Sequence, residues 1–269
     1  MASRSTQRAQ RQRAIADAVL AEGSVRIDAL AERFGISLMT AHRDLDEMEA
    51  RGLLHKSRGA ATALPSSLVE SSDVYRRGQQ LASKRALARA AMRYLEPGQA
   101  VIIDDSTTTF AMAPMLAQRA PLTVITNYLP LMNEVVGQKG IELVGLCGQY
   151  YGWAGGFLGG LTNDALARLR ADVVVMSTSA VVDGTCYHQT RETVDTKRAM
   201  LGAAATRLLL VDHTKFERRA LHALAPLTDF DHVIVDALTP EHHREDLRSR
   251  GVPVTVVPLD DAPDPADEM

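Results

Sequence analysis

The sequence predicts an α/β protein in two parts: a small helical unit at the N-terminus, then a larger region built on a mostly parallel sheet. Two observations predict it. Seven short apolar runs, at residues 100–103, 122–125, 141–144, 173–176, 208–211, 233–235 and 252–257, alternate with helix-length segments, as strands covered by helices on both faces do. Ahead of them, residues 8–51 carry apolar positions at helical spacing, interrupted by a Gly-containing turn. The 269 residues are 46% hydrophobic and 23% charged, a composition that excludes disorder over most of the length and allows each part its own core.

In the N-terminal unit, Ile15 and Val19 lie four apart among alanines and predict a first short helix over 8–22. Ile27, Leu30, Ala31 and Phe34 form the stripe of a second. Gly35-Ile36-Ser37 then breaks the pattern, with Gly35 suited to a left-handed turn and Ser37 to the N-cap of a third helix. There Leu38, Ala41, Leu45 and Met48 face inward, Met39, Thr40, Arg43 and Glu47 outward, and His42 sits on the flank, until Gly52 ends the helix. Two helices, a short turn and a third helix make the helix-turn-helix arrangement, whose second helix sets its N-terminal residues against base edges. The DNA-facing set is then Ser37, Met39, Thr40, His42 and Arg43. The acids Asp46, Glu47 and Glu49 lie further along, so only the first half of the helix is expected in the groove. Residues 53–59 read as a short hairpin, a wing with Lys56 and Arg58 available to phosphates. The alternatives are an ordinary surface helix, or a protein-interaction module with no DNA affinity.

The net charge of −3 does not point to nucleic acid, but its distribution is uneven. Up to Thr62 the balance is +2, and beyond it −5. Arg4, Arg8, Arg11 and Arg13 stand in the first thirteen residues without an acid, which predicts a basic arm with further phosphate contacts. Five acids and no base fill residues 260–269, an acidic tail. Residues 64–73 read as a linker, and 74–94 as one long helix. The N-terminus lacks the apolar stretch of a signal peptide, and no apolar run reaches the ~18 residues that span a membrane. Cys147 and Cys186 have no partner at metal-ligand spacing, so a reducing cytoplasm with both thiols packed is expected.

Ligands of open α/β sheets bind at the carboxyl ends of strands, often at helix N-termini. The run Asp104-Asp105-Ser106-Thr107-Thr108-Thr109 follows the first strand and reads as an anion cradle of hydroxyls and backbone N–H groups. Thr126-Asn127 follows the second, Gly148-Gln149 lies beyond the third, and Asp212-His213-Thr214-Lys215 follows a later one. Lys84, Lys197 and Lys215 are candidates to complete a phosphate site, and Asp104, Asp212 and Glu192 to accept hydrogen bonds from sugar hydroxyls. The bland reading of each element is a helix cap or a turn. Residues 155–160 are expected to form a mobile connection, with Trp153 placed to stack on a sugar or to pack locally. The histidines form no metal motif, Ser177 and Ser179 have no nucleophile context, and no metal or cofactor is expected.

Several of these elements recur together in one family. The run Ser37-Leu38-Met39-Thr40-Ala41-His42-Arg43-Asp44-Leu45 is followed by Glu49-Ala50-Arg51-Gly52-Leu53-Leu54. Arg77 with Lys84, Asp104 to Thr108, Thr126-Asn127, Gly148, Gly184, Glu192 with Lys197, and Asp212-His213-Thr214-Lys215-Phe216 then come in order. Over roughly residues 8–257 this series resembles the DeoR-type sugar-catabolism repressors of bacteria. The resemblance implies a winged helix-turn-helix DNA-binding domain (8–63), a linker and linker helix (64–83), a ribose-5-phosphate-isomerase-like sugar-phosphate sensor domain (84–257) and an acidic tail (258–269). It implies a repressor that holds a double-stranded operator and is released by a phosphorylated sugar or polyol. A dimer or tetramer is expected, since two recognition helices on adjacent half-sites multiply affinity. Gly184 enters the effector set through this resemblance alone. Ala41-His42 stand where the family has Ile-Arg, which removes one guanidinium, and Cys147 replaces a glycine beside the ligand site, which predicts a narrower pocket. The alternative from another class is a sugar-phosphate isomerase with Glu192 or Asp104 as base.

Overall fold

The computed structural model describes residues 4–50, 54–57, 59–63, 70 and 73–259. The N-terminal unit runs α1 (Arg4–Glu22), β1 (Ser24–Arg26), α2 (Ile27–Arg33), α3 (Leu38–Ala50), β2 (Leu54–Ser57) and β3 (Ala60–Ala63). Ile15, Val19, Ile27, Leu30, Leu45, Met48 and Leu54 form its core. The wing is larger than a hairpin, because β1 joins it to give an antiparallel sheet of order β1-β3-β2. Gly35 takes φ +59 at the turn before α3, a conformation an L side chain rarely adopts.

Two further expectations for this unit change. Leu38 is not inward but 53% exposed, standing at the first residue of α3 while Ala41, three residues on, is the first of the helix to enter the core. Asp44 takes a buried place on the inner side instead. The basic arm is not a tail: residues 4–22 form a helix. Gly52 and Arg58 lie outside the described residues, as do 64–69, 71–72 and the acidic stretch 260–269.

The expected long helix is two: α4 (Asp73–Arg77) and α5 (Leu81–Ala91), with a one-turn 3-10 segment to Tyr94. Gln80 has φ +54, a left-handed residue that no continuous α-helix contains. The second region then runs β4 (Ala100–Ile103), a 3-10 segment (Thr109–Arg119), β5 (Leu122–Thr126), α6 (Leu129–Val135), β6 (Ile141–Gly145), β7 (Gln149–Tyr151), β8 (Gly156–Leu158) and α7 (Gly160–Leu166). It continues through β9 (Ala171–Ser177), β10 (Ala180–Val182), β11 (Thr185–His188), α8 (Arg191–Gly202), β12 (Ala204–Val211), β13 (His222–Pro226), β14 (His232–Asp236), α9 (Glu241–Ser249) and β15 (Val254–Val257).

All seven apolar runs of the sequence are strands of one sheet, ordered β15-β14-β12-β9-β4-β5-β6 and parallel throughout. Successive residues feed opposite cores: Val101, Ile103, Val173, Val175, Leu208 and Leu210 face α5 and α6, while Ile102, Val174, Met176, Leu209 and Val211 face α7, α8 and α9. Residues 155–160 are not a loose connection. Gly156–Leu158 pairs with β7, and the Cβ that any residue but glycine would bring at position 155 or 156 would press on Asp73 or on the Asn127 carbonyl. Cys186 is buried, and burial pushes its thiol up to about 12, but Cys147 is exposed rather than packed.

Candidate functional site

On the face predicted to meet DNA, the Ser37 hydroxyl accepts the Thr40 N–H at 3.2 Å and lies 2.9 Å from the Thr40 hydroxyl, so it caps α3 as its position predicts. Met39 is 82% exposed, and His42 and Arg43 are exposed beside it. Among the described residues, Arg8, Arg11 and Lys56 are committed to acids. Arg11 meets Asp44 at 2.7 Å, and Arg8 meets Asp44 at 3.3 Å and also Glu47. Lys56 pairs with Asp46, and its N–H donates to Glu49. Burial would raise the Asp44 carboxyl, but Arg11, Gln12 and Arg8 together hold it below the usual carboxylate range. Arg43 makes no ion pair among the described residues.

The second site lies where the sheet reverses its winding. From β4 the chain runs outward through β5 and β6, returns to β9 on the other side of β4, and continues through β12, β14 and β15. Neighbouring carboxyl ends with helices leaving to opposite faces open a crevice between β4 and β9. A cleft there is lined by Glu70, Arg76, Asp105–Thr108, Trp153, Ser177–Ser179, His188, Thr193, Lys197 and Lys215.

Asp104 is buried beneath this cleft rather than lining it. Its carboxylate accepts from Ser106 N at 3.1 Å, Thr109 Oγ1 at 2.7 Å, Ser177 N at 2.9 Å and Lys197 Nζ. With four donors satisfied it has no capacity left for a sugar hydroxyl; it ties the β4 loop, β9 and α8 together. Lys197 also donates to the Ser177 carbonyl at 3.1 Å and lies 3.8 Å from Asp105. In the hydroxyl run, Ser106 caps Thr109, whereas Thr107 and Thr108 face the cleft with no side-chain hydrogen bond among the described residues. Burial raises the Asp105 carboxyl, against the pull of Lys197.

Lys215 lies 3.7 Å from Asp212, which caps the Thr214 N–H. Burial pulls the Lys215 ammonium down while Asp212 opposes this. Burial would also raise the Asp212 carboxyl, but Lys215, Thr214 and Arg218 keep it low. Behind them Lys84 donates to the Arg76 carbonyl. Burial and the neighbouring Lys215 push its ammonium down to about 7. Asp105 Oδ1, Ser177 Oγ and His188 Nε2 are buried without a hydrogen-bond partner among the described residues, although each belongs to the cleft. Buried polar atoms rarely stay unmatched, and several converging on one cleft suit a polar guest. His188 is held neutral, first by burial and then by Lys197 and Arg76, with Nδ1 2.9 Å from the Ser179 hydroxyl.

Of the predicted effector residues, Ser106, Thr107, Thr108, Lys197 and Lys215 line the cleft, and Lys84, Asp104 and Asp212 support it. The others stand apart. Thr126 accepts the Tyr128 N–H, and Asn127 donates to the Phe157 carbonyl, which fixes the wall beside Asp105. Gly148 lets the chain pass Thr162 and Leu158, Gly184 turns the β10–β11 hairpin against Arg250, and Glu192 is exposed. Neither Cys147 nor Gly148 lines the cleft, so the sulfur does not narrow it. Ser177-Thr178-Ser179, His188, Thr193, Glu70 and Arg76 were not predicted. The first three lie at the carboxyl end of β9 (Ser177 is its last residue), and the strand-end rule applied to that strand would have found them. Glu70 and Arg76 sit in the linker, where no local pattern marks them.

A model of the DeoR-like helix-turn-helix domain matches residues 11–67, and a model of the DeoR C terminal sensor domain matches residues 79–237. The chain is 31% identical to the glycerol-3-phosphate regulon repressor of Escherichia coli K12, over 86% of this chain and 92% of that one. It is 28% identical to the lactose phosphotransferase system repressor of Lactococcus lactis subsp. lactis, over 86% and 92%. Ribose 5-phosphate isomerase A of Methanocaldococcus jannaschii overlays on 50% of this chain and 53% of its own, at 15% identity and a TM-score of 0.37. With a DNA-binding helix-turn-helix at one end and a sensor domain around a polar cleft at the other, the chain belongs to the DeoR family of transcriptional regulators.

Proposed function

We propose that this protein represses a carbohydrate-catabolism operon and releases its operator when a phosphorylated sugar or polyol enters the β4–β9 cleft. The observation that carries this reading is the cleft's chemistry. Hydroxyls at Thr107 and Thr108, cations at Arg76 and Lys215, and polar atoms at Asp105, Ser177 and His188 with no partner among the described residues meet at one strand-end crevice. Hydroxyls and cations suit a phosphate, and the unmatched acceptors and donors suit sugar hydroxyls. The named relatives, repressors of glycerol-3-phosphate and lactose systems, support the same ligand class. The reading implies a cytoplasmic protein that acts as a dimer or tetramer, because paired half-sites need paired recognition helices.

The isomerase alternative needs a base beside the reacting carbon. Asp104 is saturated by four donors and Glu192 points to solvent, so neither suits that task. The test is fluorescence anisotropy on DNA from upstream of the protein's own gene, at fixed salt, with sugar phosphates and the matching unphosphorylated sugars. Selective binding reversed by one phosphorylated compound supports the proposal. Turnover of such a compound without selective DNA binding would replace it with the isomerase.

A further inference from the structure

Glu70 belongs to the linker between the two domains, yet its side chain is 5% exposed and lies inside the effector cleft. Its Oε2 accepts from the Ser179 hydroxyl, and its Oε1 lies 4.0 Å from Arg76 Nε and has no hydrogen-bond partner among the described residues. Burial alone would raise this carboxyl, but Arg76, Lys215, the Ser179 hydroxyl and Arg218 hold it below the usual carboxylate range, so it is an anion. An anion thus already sits among the groups that suit a phosphate. The space left in the cleft is about 30 Å³, room for about two waters and far too small for a sugar phosphate. A guest therefore has to displace something, and Glu70 is the lining group whose charge and partners a phosphate would duplicate.

Three residues on, Asp73 holds the same linker against the wall of the cleft. Its N–H donates to the Trp153 carbonyl at 2.9 Å, and its carboxylate accepts from the Tyr128 hydroxyl at 3.0 Å and pairs with Arg77 at 3.1 Å. Trp153 itself lines the cleft. Displacing Glu70 thus acts on a segment clipped to the cleft wall on one side and leading to the DNA-binding domain on the other.

We propose that the Glu70 carboxylate is an internal stand-in for the effector's phosphate, seated in the cleft in the operator-binding state and expelled by the phosphorylated ligand. The inference rests on the reading of the cleft as the effector site and adds how occupancy reaches the DNA-binding domain. Because carboxylate and phosphate compete, apparent affinity for the ligand is reduced by the fraction of molecules in which Glu70 is seated.

The test uses the full-length protein and inorganic phosphate as probe, at constant ionic strength set with chloride. Calorimetric titration should give Glu70→Gln at least tenfold tighter phosphate binding than the unaltered protein, and Lys215→Ala should abolish binding in both backgrounds. In the unaltered protein, hydrogen exchange of peptides spanning 64–80 should speed up several-fold at saturating phosphate while β4 stays protected. This second readout decides the matter if Glu70→Gln does not fold. Equal or weaker phosphate binding by Glu70→Gln, with Lys215→Ala still abolishing it, overturns the stand-in and leaves the effector site in place. Slower exchange around Asp73 on binding also overturns it, since Glu70 would then share the cleft with the anion. No phosphate binding by any of the proteins overturns both the stand-in and the assignment of the cleft.

Discussion

Arg43 differs from its neighbours in having no ion-pair partner among the described residues. Arg8, Arg11 and Lys56 are each paired with an acid of α3, whereas Arg43 projects from its first half into solvent. If it reads a guanine edge, Arg43→Ala should weaken operator binding by ~1–3 kcal/mol. Anisotropy measures this directly, and an unchanged operator affinity would remove it from the recognition surface. Lys84 presents the opposite case, a cation whose burial costs it its proton. Its folded value of about 7 lies below the ordinary 10.5. The cost of burying the ammonium is therefore full below pH 7 and is relieved as pH rises from 7 towards 10.5. A phosphate entering nearby favours the charged form. Titration of phosphate at pH 8, in buffers of different ionisation heat, should show net proton uptake that Lys84→Met abolishes. Uptake of the same size in that variant would mean that Lys84 does not feel the ligand.

At the scale of elements, α1 and α3 are joined by a polar clamp as well as by the core. Asp44 is buried on α3 and receives Arg11, Arg8 and Gln12, all from α1. Charge-assisted hydrogen bonds of this kind contribute about 1.5–3 kcal/mol each when one side is buried. Asp44→Ala should lower the stability of the N-terminal domain by roughly 2 kcal/mol, read as a lower denaturation midpoint of that domain. The folded Asp44 carboxyl lies below its unfolded value, so its contribution is present above the unfolded value and lost as pH falls through the folded one. A midpoint unchanged by the substitution at neutral pH would show that the core alone fastens α1. Helix periodicity made α3 legible, but not Asp44, because a polar residue on an inner face departs from the apolar stripe. The break at Gln80 was equally hidden: residues 74–94 suit a helix at nearly every position, and one left-handed residue decides otherwise.

For the whole molecule, the proposed function requires a cleft in the α/β domain to govern a helix in another domain. The two ligands must be coupled by at least ~1–3 kcal/mol for release to follow binding. Lys215→Ala removes a cleft cation without touching the helix-turn-helix, so operator affinity should stay at the unaltered level while release by the phosphorylated effector is lost. Release at the same effector concentration would place the effector elsewhere. The parallel sheet and its doubly wound order make this arrangement possible. The order brings β4 and β9 side by side, with their loops diverging around one crevice.

The sequence by itself determined the seven strands, the helix-turn-helix and the loop after β4. Each is a local pattern: apolar runs long enough to fill a buried strand, a 3.6-residue stripe, a cap residue after a glycine turn. It also determined which residue types could serve a phosphorylated ligand. Only the tertiary structure decided which of them meet. Asp104 and Lys197 stand 93 positions apart and pair at the floor of the cleft, and Glu70 reaches Ser179 across 109. A strand end announces that a side chain stands near a crevice, but its hydrogen-bond partners come from other strands and from the linker. Whether a carboxylate is saturated, as Asp104 is, or seated where a ligand's phosphate would bind, as Glu70 is, therefore depends on contacts that sequence periodicity does not encode.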